Sequence, residues 1–141
     1  MNTVAHSADY EGRPARRALT KVELQRLFDH ADEQVAAARA GGRKGWLAAM
    51  RDSAAMKVPY AWGLRRRELV MLELADIGNK PEASEFGTYG VLYLRWGKAA
   101  RGGTTRRGSV LTVLPWSVRV VQQWVIEYRD LFDHAHQTGW L

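Results

Sequence analysis

Residues 61–77 read Ala61-Trp62-Gly63-Leu64-Arg65-Arg66-Arg67-Glu68-Leu69-Val70-Met71-Leu72-Glu73-Leu74-Ala75-Asp76-Ile77. Gly63 punctuates the chain, and the apolar residues after it predict a largely buried helix over 64–74. Three consecutive arginines at its start oppose the helix dipole, whose amino-terminal end is already positive, at roughly 0.3–1 kcal/mol each. A sequence that breaks a local rule in this way often has a functional reason. A phosphate supplies one, because helix N-termini and guanidinium forks both bind it. Arg65 and Glu68 stand one turn apart, so the carboxylate is placed to hold the guanidinium in a fixed direction. The bland reading is a solvated basic cluster around a helix boundary that lies elsewhere. On the residues alone both readings stand.

Upstream, residues 1–18 are polar, contain Gly12 and Pro14, show no hydrophobic period, and read as a flexible basic arm. Thr20-Lys21-Val22-Glu23 fits a capping box. Leu24, Leu27, Phe28, Ala31 and Val35 then share one helical face, predicting a helix to about Ala40 that stops at Gly41-Gly42. His30 lies just beside this stripe and reads as structural. A second helix is expected from Trp46 to about Val58 with Leu47, Met50 and Ala54 inward, its end kinked or broken by Pro59.

Downstream, 78–87 reads as a loop. Val91 to Trp96 and Ser109 to Leu114 are rich in β-branched and aromatic residues and predict an antiparallel hairpin. Its long glycine-rich tip is basic: Arg95, Lys98, Arg101, Arg106 and Arg107 occur with no acidic residue among them. Lys98 is placed to enter a DNA groove, neutralise a backbone oxygen or give a proton to a leaving hydroxyl; a solvated turn lysine is the plainer reading. The segment is not a nucleotide-binding P-loop, since Ala99 stands where Ser or Thr is needed. After Pro115, residues Val118, Val121, Val125, Tyr128 and Phe132 trace one face of a final helix. His134-Ala135-His136 lacks a third ligand, and no metal site is expected.

Composition bounds the function. The chain of 141 residues is 46% hydrophobic with six tryptophans, enough for one packed domain. No apolar run reaches the roughly 18 residues needed to cross a bilayer, and the N-terminus has no signal-peptide core, so a cytoplasmic protein without membrane contact is expected. Cysteine is absent, which removes disulfides, thiol catalysis and cysteine-bound zinc. The net charge of +6 favours a polyanionic partner, most commonly nucleic acid.

The stretch from Ala61 to Ile77 resembles the first arginine box of the tyrosine recombinases, the phage-integrase family, which reads Ala-x-Gly-Leu-Arg-x-x-Glu-Leu, then Leu, then Asp-Ile. Leu19-Thr20-Lys21-Val22-Glu23-Leu24 is similar to the opening of that catalytic domain. Trp96-Gly97-Lys98, the basic loop and Val110-Leu111-Thr112-Val113-Leu114-Pro115 resemble its lysine-bearing hairpin. The resemblance implies an α+β fold, mainly helical with a small antiparallel sheet, with residues 19–141 forming part of an integrase-type catalytic domain.

It also implies site-specific DNA recombination or integration by a mobile element. A tyrosine attacks the scissile phosphate, and no metal, nucleotide or other cofactor is needed. By position, Arg65 clamps the non-bridging oxygens, Glu68 supports Arg65, and Lys98 protonates the departing 5′ oxygen. Arg66, Arg67, Arg95, Arg101, Arg106 and Arg107 are the expected contacts to double-stranded DNA, on which other recombinase protomers are potential partners. The family's His-x-x-Arg box and late tyrosine are not found. The expectation is therefore a truncated front half, inactive alone; the alternative is a non-catalytic DNA-binding remnant or regulator.

Overall fold

The computed structural model describes residues 17–42, 44–95, 97 and 107–132. Nearly all of the expected arm, together with Trp96, Lys98, Arg101, Arg106, His134 and His136, lies outside them.

Helix α1 (Lys21–Ala40) begins at the expected capping box: Thr20 Oγ1 accepts from the Glu23 backbone N–H at 3.2 Å, and Glu23 Oε2 accepts from that of Thr20 at 2.9 Å. Phe28 and Ala31 are buried, whereas Leu27, expected beside them, is exposed. Leu27 lies about 100° round the helix from Phe28, at the margin of the apolar stripe.

Helix α2 (Trp46–Trp62) runs past the expected end at Val58 and carries Pro59 within it. Val58 and Trp62, one turn apart, are both buried in the main apolar cluster, and that burial outweighs the hydrogen bond that proline cannot make. The helix ends at Gly63, whose φ of 64° and ψ of 31° are left-handed and suit a residue without Cβ.

The single helix expected over 64–74 is in fact two shorter pieces. Helix α3 spans only Arg66–Val70, and a separate 3₁₀ turn covers Leu74–Asp76. The reason is local: Asp76 Oδ2 accepts from the Glu73 backbone N–H at 2.9 Å, which starts a new turn instead of prolonging the old one. Tight 3₁₀ turns over Pro81–Tyr89 replace the expected loop.

Strands β1 (Ile77–Gly78), β2 (Val91–Leu94) and β3 (Gly108–Leu111) form an antiparallel sheet in the order β1-β2-β3. Leu92 faces both Ile77 and Val110, fixing the register. Helix α4 (Pro115–Gln123) passes through a π turn at Trp124–Tyr128 into α5 (Arg129–Phe132). This turn moves Phe132 off the expected inward face, and its ring lies 5.4 Å from that of Trp124 while remaining partly exposed.

The fold is mostly helical with a small three-stranded antiparallel sheet. Its core joins Val58 and Trp62 of α2, Leu64, Leu72, Leu92 of β2 and Val121 of α4. Trp62 Nε1 donates to Thr112 Oγ1 at 3.2 Å, and that hydroxyl donates to Tyr89 O at 2.5 Å, tying the end of α2 to both segments flanking the hairpin. No helix among the described residues is long and apolar enough to cross a membrane.

Candidate nucleic-acid interface

The arginine cluster sits where α2 gives way to α3. Gly63 turns the chain, Leu64 anchors it in the core, and Arg65 takes an extended backbone (φ −78°, ψ 157°) as the residue capping α3. Burial of Leu64 on one side and Glu68 on the other forces the intervening Arg65, Arg66 and Arg67 outward, and all three are exposed.

Glu68 is 6% exposed and aims its carboxylate back at Arg65. Oε2 accepts from the Arg65 backbone N–H at 2.7 Å, and Oε1 accepts from Nη1 at 3.2 Å. One carboxylate therefore satisfies a free donor at the helix start and fixes the guanidinium. The Arg65 side chain itself is 66% exposed, so its remaining N–H groups face solvent. The i, i+3 spacing in the sequence anticipated this pair.

At five residues α3 has a small macrodipole, so three arginines at its start meet little opposition and the helix terminus contributes no anion site of its own. What remains is a set of exposed guanidinium groups, one of them held in place from below.

Arg95, one of the expected DNA contacts, is ion-paired within the protein and partly exposed. It ends β2, and its Nη2 reaches Glu73 Oε1 at 2.8 Å and Asp76 Oδ2 at 3.0 Å. Its Nε approaches Asp76 Oδ1 at 2.6 Å as an ion pair, not as an aligned hydrogen bond. Asp76 first, and Glu73 second, hold the Arg95 guanidinium above its already high proton affinity. Sequence reasoning missed Glu73 and Asp76 as its partners, because nothing local joins positions 76 and 95. Asp76, buried and carrying a charge, was the available signal only once burial was known.

Arg107 is exposed at the foot of β3. Lys98, Arg101 and Arg106 lie outside the described residues. Tyr60 and Tyr128 line a groove between α1 and α4, and Tyr93 packs against Gly78; among the described residues the Arg65 guanidinium bonds to Glu68 and to no tyrosine. No group of three or more His, Asp or Glu side chains that could hold a metal occurs among the described residues.

No protein-family model, no curated protein and no solved structure matches this chain.

Proposed function

We propose that this chain is a DNA-handling module of the tyrosine-recombinase type, carrying the first arginine box and the lysine hairpin of a domain for DNA breaking and rejoining. The observation that carries the reading is the Arg65–Glu68 pair: a solvent-facing guanidinium whose direction is set by a buried carboxylate. Such a fork suits the two non-bridging oxygens of a phosphodiester and stabilises the extra charge that develops there during phosphoryl transfer. Exposed Arg66, Arg67 and Arg107 supply neighbouring charge for the DNA backbone, and Arg95 acts within the fold. Lys98 enters by its position in the sequence, as the proton donor to the leaving 5′ oxygen. Double-stranded DNA is the partner, and no cofactor takes part.

The sequence has no His-x-x-Arg box after the hairpin, and the Tyr60 and Tyr128 rings pack on Phe28 and Trp46 while Tyr93 lies against Gly78. The chain alone therefore binds duplex without cutting it. Incubation with a nicked suicide duplex tests both halves: a low-salt mobility shift is expected, with no covalent adduct after denaturing electrophoresis. An adduct overturns the assignment of the tyrosines, and absence of any shift overturns the DNA reading.

A further inference from the structure

We propose that Arg95 is a positioning residue for duplex binding, which acts through Arg107 by tying the mouth of the hairpin to the arginine cluster; this rests on the DNA reading. Strand β1 pairs only with Val91 and Leu92, so β2 runs on through Tyr93 and Leu94 beyond the reach of β1. Arg95 closes that end with charge. Its Nη2 reaches Glu73 Oε1 at 2.8 Å and Asp76 Oδ2 at 3.0 Å, and its Nε lies 2.6 Å from Asp76 Oδ1. Asp76 is held in turn, because its Oδ2 also accepts from the Glu73 backbone N–H at 2.9 Å. Leu72, buried, and Leu69, packed on the core, anchor the few residues between this turn and Arg67. The exposed arginines at 65–67 and the end of β2 therefore move as one piece.

Arg107 is the group that this piece presents. Leu94 faces Gly108 across the ladder, and Arg95 and Arg107 each stand one residue beyond that last pair. Like charges at opposing positions of two strands repel. Glu73 and Asp76 set two negative charges against the one on Arg95, which removes that repulsion at the mouth. A phosphate approaching Arg95 meets the surplus negative charge, so the contact falls to Arg107. The Arg107 side chain is exposed and has no hydrogen-bond or ion-pair partner among the described residues, which leaves its fork to the duplex.

The test is a double-variant cycle on the full chain, read as affinity for a labelled duplex by fluorescence anisotropy, with circular dichroism confirming the fold of each variant. Arg107→Met is expected to weaken binding about five- to tenfold at about 0.1 M salt and to make the salt slope shallower by about 0.9. Arg95→Met should weaken binding by a similar factor, and should add nothing further in the Arg107→Met background. Independent, additive losses assign Arg95 a contact of its own and overturn the proposal. Glu73→Gln supplies a sign, and it decides alone if Arg95→Met does not fold. It removes a negative charge at a position 33% exposed, which by charge alone tightens DNA binding, whereas a loosened clamp weakens it. Tighter or unchanged binding by Glu73→Gln overturns the positioning role. Absence of duplex binding by the unaltered chain overturns the DNA reading as well, while binding with an additive cycle removes this inference alone.

Discussion

The buried carboxylate of Glu68 is bound twice by the exposed residue Arg65, through the backbone N–H at 2.7 Å and through the guanidinium at 3.2 Å. The two bonds do different work. The guanidinium bond belongs to a largely exposed side chain and adds about 0–1 kcal/mol to stability. The backbone bond satisfies an otherwise free helix donor, a cap whose loss costs about 0.5–2 kcal/mol.

Glu68→Ala is therefore expected to lower stability by about 1–2 kcal/mol in urea unfolding. It should also weaken duplex binding. Removing a negative charge from a basic surface ordinarily strengthens DNA binding, so the sign separates the two explanations. Tighter binding by Glu68→Ala, measured by anisotropy, contradicts a role in orienting Arg65.

Arg95 bridges Glu73 and Asp76, and Asp76 is buried. Arg95→Met leaves that carboxylate without its counter-charge and should lower Tm, while the Arg95→Met/Asp76→Asn double variant should recover part of the loss. Additive losses in the thermal-unfolding cycle contradict the pairing.

Gly63 holds φ at 64° with open space around a would-be Cβ. Gly63→Ala is thus a test of backbone strain without a steric clash, and about 1–2 kcal/mol should be lost. Equilibrium denaturation reads it directly, and an unchanged midpoint contradicts the left-handed turn.

What was legible in the sequence was what short-range chemistry controls. Thr20 and Glu23 announced the start of α1, the spacing of Arg65 and Glu68 announced their contact, and the β-branched and aromatic runs over 91–96 and 109–114 announced the hairpin, whose strands cover the shorter spans Val91–Leu94 and Gly108–Leu111. Pro59 misled because burial of Trp62, one turn beyond Val58, is a tertiary effect that overrides the local preference to stop. The π turn at Trp124–Tyr128 has no sequence signature and displaced Phe132 from its expected face. At the site, the division of labour among the arginines was invisible: Arg65 and Arg95 look alike in the sequence, and only the chain fold brings Glu73 and Asp76 to one of them.

Glu23 is held down at about 2, first by the Arg17 side chain and then by the Thr20 backbone N–H and hydroxyl. Its ordinary value is about 4.3, so the stabilisation is complete above that range and is lost as pH falls towards 2. In Arg17→Ala, carbon-detected NMR should show the carboxyl midpoint rising part of the way back, because the Thr20 bonds remain. An ordinary midpoint in the unaltered chain contradicts the arrangement.

The most direct test of the DNA reading is the salt dependence of duplex affinity. Each phosphate neutralised contributes a slope of about −0.9 to log K against log salt. With Arg65, Arg66 and Arg67 all replaced by alanine, the slope should become shallower by about 2–3, while a cooperative unfolding transition is retained. Identical slopes for the two proteins, or duplex binding that salt does not weaken, contradict a phosphate-gripping arginine cluster.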